Sequence, residues 1–195
     1  LLVFPVLMPT SKYPGLNPSS FVKKFIDFFE EMIDSRLEPG IPNMYSLKVL
    51  CSILEKRGIE DYPIHIKLDT GMHRLGFMTS ELRELTDFLP DCKYVRVRSV
   101  YSHLAVAEDP SQDEFTQGQL DMFRQNADRI SDKIGYRPMY HILNSAGIQR
   151  FTRYQYDMVR LGVGIYGISA LPDVKLEPVA SLKCKILQIK TLKKE

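Results

Sequence analysis

Lys67, Arg74, His103, Asn144, Ser145 and Arg160 are the residues whose types could carry out chemistry, because each lies in or just beyond a short apolar run. Arg74 sits in Asp69-Thr70-Gly71-Met72-His73-Arg74-Leu75-Gly76-Phe77, after the run Ile64–Leu68, and offers a fixed fork of donors to a carboxylate or phosphate. His103 closes the run Val97–Leu104, where an imidazole can act as acid or base or simply be hydrogen-bonded. Lys67, inside an apolar run, invites reading as a nucleophilic amine. Asn144-Ser145-Ala146-Gly147 and Leu161-Gly162-Val163-Gly164 bring small residues and a helix start together. Small residues let backbone N–H groups approach anionic oxygens, and a helix N-terminus adds a favourable dipole. That pattern fits a phosphate-bearing ligand. Taken singly, an Asn144 helix cap and a tight glycine turn account for it equally well.

The elements that must position these groups alternate. Leu2–Met8 reads as a strand, with Pro5 against a central place in a sheet. Ser20–Arg36 reads as a helix with Phe21, Phe25, Phe28, Phe29, Met32 and Ile33 on one stripe. An extended stretch around Ile41–Tyr45 precedes a helix that Ser46 caps and Gly58 closes. Ile64–Leu68, Val97–Leu104, Met139–Leu143 and Asp157–Val159 read as strands, making six before Pro172. Between them, Ser80–Leu89 reads as a helix stopped by Pro90. Thr116-x-x-Gln119 reads as a capping box that opens a long helix to Gly135.

Strands alternating with helices at this spacing imply an α/β fold with a parallel sheet. No G-x-G-x-x-G follows a strand, which weakens a dinucleotide-binding reading. Polar residues at four successive strand ends favour a (β/α)8 barrel, since an open sheet would gather them at one switch point. A full barrel needs about 250 residues, so the expectation is a partial TIM (β/α)8 barrel, roughly strands 3 to 8, lacking its first two βα units. Beyond Pro172, Ala180, Leu182, Cys184 and Ile186 alternate with Ser181, Lys183 and Lys185, then the phase flips at Leu187. A half-buried antiparallel strand with a bulge near Ile186 would do this. The domains expected are therefore a barrel over 1–172 and the truncated start of a β-domain over 173–195.

Composition narrows the function classes. Of 195 residues, 26 are Lys or Arg and 24 Asp or Glu, a net charge of +2 that gives no electrostatic footprint for nucleic acid. The 3 cysteines, Cys51, Cys92 and Cys184, are widely spaced in sequence and read as free thiols of a reducing compartment. The 4 histidines show no H-x-x-x-H pairing, so no metal site is expected. The opening Leu-Leu-Val-Phe run is too short to span a membrane and lacks the parts of a signal peptide. Both ends read as cut, the mark of a segment from a longer cytoplasmic chain.

His65-Ile-Lys-Leu-Asp-Thr-Gly-Met-His-Arg-Leu-Gly-Phe77 closely resembles the signature strand and loop of alanine racemases. Ser102-His103-Leu104-Ala105, Phe115-Thr116 with Gln119, Asn144-Ser145-Ala146, and Met158-Val159-Arg160-Leu161-Gly162-Val163-Gly164-Ile165-Tyr166-Gly167 resemble later motifs of the family, in order. Leu37-Glu38-Pro39 with Tyr45-Ser46 adds weaker support, and the Met-His-Arg form of the loop resembles racemase domains fused behind a muramoyl-peptide ligase. Departures are few. Ser102 stands where Thr is common, Leu161 where Pro or an aromatic is, and Gly40–Met44 looks inserted.

The resemblance implies a fold-type III pyridoxal 5'-phosphate enzyme that interconverts L- and D-alanine as a homodimer, supplying D-alanine for bacterial peptidoglycan. It implies that Arg160 hydrogen-bonds the pyridine nitrogen, leaving the ring unprotonated and a weaker electron sink, so that proton return to Cα is favoured over transamination. Ser145 and the backbone N–H groups of Gly162 and Val163 would hold the phosphate, and Asn144 would shape that loop. Arg74 would reach the phenolic oxygen and the substrate carboxylate, and His103 would hydrogen-bond a catalytic tyrosine. Lys67 matches not the cofactor lysine but a barrel-interior lysine, often carbamylated, that supports Arg74. The family's cofactor lysine would lie upstream of Leu1 and its second base, a tyrosine, downstream of Glu195, so the segment alone is expected to be inactive. The competing readings are a serine or broad-specificity racemase and a non-catalytic pyridoxal-phosphate-binding barrel.

Overall fold

The computed structural model describes residues 27–169, 171–172, 174–179, 181 and 183–191. The expected strand Leu2–Met8 and the first turns of the helix expected from Ser20 lie outside them. Helix α1 covers residues 27–34 and buries Phe29, Met32 and Ile33, the part of the aromatic stripe that is described. Strand β1 (Gly40–Ile41) follows, then α2 (Met44–Arg57), β2 (Tyr62–Lys67), α3 (Leu82–Phe88), β3 (Val95–Tyr101), α4 (Asp113–Ile134), β4 (Met139–His141) and α5 (Ser145–Arg150). The four strands form one sheet in the order β1-β2-β3-β4, every pair parallel. The fold is thus α/β with a parallel, partial-barrel sheet, as its sequence alternation implies.

Two faces of this sheet do different work. Ile64, Ile66, Val100 and Tyr140 are fully or almost fully buried, and Tyr140 packs edge-on against Phe123 of α4. That face is the apolar contact with the helix layer. His65, Lys67, Ser99, Tyr101 and His141 lie on the opposite, interior face, and all are buried. A one-residue irregularity in β3 makes this possible. Ile64 pairs with Val97 but His65 pairs with Ser99, so Arg98 is passed over. Because side chains alternate along a strand, the bulge swings Ser99 and Tyr101 round to the face of His65 and Lys67.

Several local expectations are corrected. Asn43, not Ser46, caps α2: its Oδ1 accepts from the Ser46 N–H and hydroxyl, both at 2.9 Å. Thr116 and Gln119 are buried inside α4 and cap nothing. That helix is entered through a 3-10 turn (Pro110–Gln112) where Asp109 accepts from Ser111 N, an Asp-Pro start that outcompetes a Thr. Helix α3 is flanked by 3-10 turns, Thr79–Glu81 and Leu89–Asp91, and is shorter than the pattern implied.

Asp157–Val159 is not a strand. Tyr156 takes a left-handed φ of 48°, and the Asp157 carboxylate captures the Tyr140 N–H at 2.8 Å, a side-chain bond in place of a ladder bond. The segment still lies alongside β4, with Arg160 N–H donating to Leu143 O at 3.0 Å. The described residues of 174–191 form no strand either, and Leu187 is 95% exposed: they meet no ladder to join. Cys51 and Cys92, far apart in sequence, are free thiols with their sulfurs 3.3 Å apart. Among the described residues no helix is long and apolar enough to cross a membrane, and none of the His, Cys, Asp and Glu groups gathers as a metal site.

Candidate active site

The sequence between the strands and the following helices sets the site. After β2, the Asp69 carboxylate accepts from Gly71 N and His73 N, each at 3.0 Å, folding the loop back on itself. Phe77 N–H donates to Lys67 O at 2.8 Å and Asp69 N–H to Phe77 O at 2.9 Å, so the loop carrying Arg74 is closed at its base. After β3, Gln119 reaches up from α4: its Oε1 accepts from Ala105 N at 2.9 Å and its Nε2 donates to His103 O at 3.3 Å. This clamp on the His103 loop is the role behind a residue that read as a helix cap.

After β4, Asn144 caps α5 by accepting from Gly147 N at 2.9 Å, and its amide donates to Leu104 O at 3.2 Å. Ser145 Oγ accepts from both Gly162 N and Gly164 N, at 2.9 and 3.1 Å. Val163 N–H takes no part in that cluster; Gly164 does. A Cβ at Gly164 would come within 3.4 Å of Ser145 Oγ and 2.8 Å of Leu161 Cδ1, so this approach requires the missing side chain. The result is a concave cluster of N–H groups around one hydroxyl whose own proton remains to be donated.

Arg160 is the most constrained cation. Its Nη1 donates to His141 Nδ1 and, at 3.3 Å, to His141 O; its Nη2 donates to Ser102 O and, at 3.3 Å, to Ile142 O. The Nε–H has no partner among the described residues. Burial lowers the Arg160 pKa to about 10, which still leaves the group charged at neutral pH. Beneath it the Tyr101 and His141 rings stack 5.0 Å apart and 5° from parallel, and Lys67 Nζ lies 5.1 Å from the Tyr101 ring. Burial, then Arg160 and Arg74, brings Lys67 down to about 8. Burial, then Arg160, Lys67 and Arg74, brings His103 down to about 4, a neutral imidazole with no hydrogen bond to its ring among the described residues.

A cleft of about 620 Å³ collects His103, Glu108, Asn144, Ser145, Arg160, Gly162 and Val163 on its walls. Arg74 does not line it, standing exposed on its own loop, and neither does the buried Lys67. None of Lys67, Arg74 and Arg160 is ion-paired to a carboxylate among the described residues. The Arg160 guanidinium, with no carboxylate partner among the described residues, and the Ser145 hydroxyl proton offer donors on these walls to an anionic ligand that carries an acceptor at one end.

The family model for the alanine racemase N-terminal domain matches residues 22–170. The chain belongs to that family. It is 34% identical over 161 residues to an alanine racemase of Synechocystis sp., covering 80% of this chain and 43% of that one. Its fold matches the alanine racemase of Clostridium difficile 630, solved in complex with cycloserine, at a TM-score of 0.70 and 26% identity over 84% of this chain and 44% of that one. A likeness in fold alone, at TM-score 0.66 and 24% identity over 77% of this chain and 40% of that one, joins it to the Bartonella henselae alanine racemase with covalently bound pyridoxal phosphate. The chain thus spans less than half the length of these alanine racemases.

Within the alanine racemase N-terminal domain fold, motif reading did not single out His141, Ser99 and Tyr101, and it quoted His65 and Gln119 without the partners that the structure gives them. Each is buried in a strand or helix, where a polar residue signals only that it has a partner.

Proposed function

We propose that this chain forms the larger part of the barrel of a pyridoxal-phosphate-dependent alanine racemase, interconverting L- and D-alanine in the cytoplasm as a homodimer and feeding peptidoglycan synthesis. The observation that carries this reading is the Arg160 guanidinium, held by backbone carbonyls and His141 with its Nε–H left over, lining one cleft together with Ser145 and Gly162, whose amide, like that of Gly164, donates to Ser145 Oγ.

These residues fit the cofactor. Ser145, with the N–H groups of Gly162, Val163 and Gly164, would hold its phosphate, on a loop that Asn144 shapes. Arg160 would donate to its ring nitrogen. When bound, the cofactor supplies the electron withdrawal that loosens the Cα–H bond of an amino acid. Arg160, charged and far from releasing a proton near neutral pH, would hydrogen-bond the ring nitrogen without protonating it. Arg74 would pair with the substrate carboxylate. His103, held neutral, would hydrogen-bond the phenol of a catalytic tyrosine and orient it.

Lys67, with its pKa drawn down to about 8, has an appreciable free amine near neutrality, the form that adds carbon dioxide. A carbamate there would turn a buried cation into an anion facing Arg74 and Arg160. Exposed Leu161, Val163, Ile165, Tyr166 and Ile168 supply an apolar border that a second subunit would cover. Residues 173–195 would lead into a second domain, and the 195 residues alone would bind cofactor without racemising.

The test uses the full-length protein with pyridoxal phosphate. The optical activity of L-alanine should decay, and Arg160→Glu should slow the decay at least a hundredfold, about 3 kcal/mol in the barrier. Equal decay with L-serine would replace the alanine assignment by a broader racemase. No decay with either substrate despite bound cofactor would overturn the enzyme and leave a cofactor-binding barrel.

A further inference from the structure

One chain of hydrogen bonds crosses the barrel interior, and beyond its first link, from Arg160 to His141, nothing described above uses it. His141 Nδ1 accepts from Arg160 Nη1, and His141 Nε2 meets Ser99 Oγ at 3.0 Å. Ser99 Oγ meets His65 Nδ1 at 2.6 Å, and His65 Nε2 meets Glu38 Oε2 at 2.9 Å. His141 and Ser99 are fully buried and His65 nearly so, while the Glu38 side chain is 32% exposed. Glu38 lies just before β1, at the opposite end of the strands from Arg160. Its other oxygen is 3.8 Å from Arg98.

The ends of this chain determine every proton in it. A guanidinium can only donate and a carboxylate can only accept. Arg160 therefore donates to His141 Nδ1, which makes Nε2 the protonated nitrogen of His141. His141 Nε2–H donates to Ser99 Oγ, leaving the Ser99 hydroxyl proton for His65 Nδ1. His65 then carries its proton on Nε2 and donates it to Glu38. Each link uses one donor and one acceptor, all in one direction, with both imidazoles neutral. The buried surroundings agree: desolvation, then Arg160, pulls His141 down to about 3, and desolvation outweighs Glu38 in lowering His65.

We propose that Glu38 is a positioning residue for Arg160, acting across the barrel through His65, Ser99 and His141. Bonds aligned head to tail polarise one another, so a carboxylate at one end makes His141 Nδ1 a stronger acceptor at the other. A stronger acceptor on Nη1 draws guanidinium charge toward His141 and away from the free Nε–H. Resting on the reading of Arg160 as the donor to the cofactor ring, this gives a purpose to a polar barrel interior: it weakens the one N–H aimed at the ring nitrogen. The β3 bulge is part of the device, because without it Ser99 would face the helices and the chain would be cut.

The test begins with cofactor-free full-length protein carrying 15N-labelled histidine. Long-range 1H–15N spectra at pH 7 should show His65 and His141 as Nε2–H tautomers with strongly downfield N–H protons. Glu38→Gln keeps an acceptor but removes the charge, and should move both protons upfield, the distant His141 included. Ser99→Ala should shift His141 and, combined with Glu38→Gln, abolish the further response of His141 to Glu38. A purely through-space effect of the charge would survive Ser99→Ala, and that result would overturn the relay. So would an Nδ1–H tautomer at either histidine, or a Glu38→Gln response confined to His65.

In cofactor-loaded protein, Glu38→Gln should lower kcat roughly threefold to tenfold with the KM for L-alanine unchanged, a change on the order of one decade or less in rate. Loss of kcat and KM together, with intact imidazole signals, would also overturn it. The spectra do not depend on turnover, so a relay present in a protein without racemase activity would fault the proposed function and leave the relay standing.

Discussion

Lys67 illustrates how a single side chain can be held against its own solvation. It is 7% exposed, with no carboxylate partner among the described residues, and it shares its surroundings with Arg160 and Arg74. Its pKa of about 8 in the folded state lies below that of an ordinary lysine, so between pH 8 and about 10.5 the unfolded chain binds more protons than the folded one. The destabilisation is therefore complete below pH 8 and is relieved as pH rises toward 10.5. Lys67→Met should raise stability at pH 7 in bicarbonate-free buffer by up to about 3 kcal/mol, the free-energy equivalent of that shift. The gain should shrink steadily toward pH 10, and urea unfolding of the two proteins at both pH values would measure it. A loss of stability at both values would show that the amine is solvated or paired. Residue identity made Arg160 and Arg74 legible from the sequence, because each stands in a motif after an apolar run. It could not reveal His141 or Ser99: a buried histidine or serine in a strand has no spacing signature, and its partner is chosen by strand register.

At the scale of elements, the loop from Asp69 to Phe77 shows what the glycines near Arg74 are for. Gly76 has φ +125°, and a Cβ there would stand 2.5 Å from the carbonyl carbon of Leu68 and 2.6 Å from Asp69 N. Those atoms are backbone, and Asp69 N is the donor of one of the two bonds that close the loop. Gly76→Ala should therefore destabilise the protein by more than about 2 kcal/mol and weaken binding of the substrate carboxylate by displacing Arg74. Gly118, exposed in the second turn of α4 with nothing within 4 Å of its missing Cβ, is the control. Gly118→Ala should stabilise by roughly 0.5–1 kcal/mol, through helix propensity alone. Denaturant midpoints for the two variants would fall on opposite sides of the parent; both on one side would contradict the steric account. Helix centres and strand centres were readable from apolar periodicity, whereas ends were not. At Asn43, Asp109 and Asp157 a short polar side chain takes a backbone N–H that the pattern assigned elsewhere. Such competition is decided by local geometry.

The whole molecule is organised around a polar, cationic interior inside an apolar shell, and its response to acid should report that. His65, His103 and His141 all titrate below an ordinary histidine, chiefly because burial disfavours the imidazolium. The folded state binds fewer protons than the unfolded chain below pH 6.5, so stability present at neutral pH is lost as pH falls from 6.5 toward 3–4. One such group gives a slope of about 1.4 kcal/mol per pH unit, so several together should exceed it clearly. Carboxylates in surface ion pairs add less, because exposed pairs contribute little. Urea unfolding between pH 4 and 7 should thus show a slope above one proton. Replacing His141 by Gln should reduce it by close to one. A slope of one proton or less in the parent would mean that the interior histidines are already charged or solvated, and a relay that requires both imidazoles neutral could not then exist. The acid limb of the stability curve and the imidazole spectra test the same arrangement by independent means. Agreement between them would place the donor chain from Arg160 to Glu38 among the features that hold the barrel together at neutral pH.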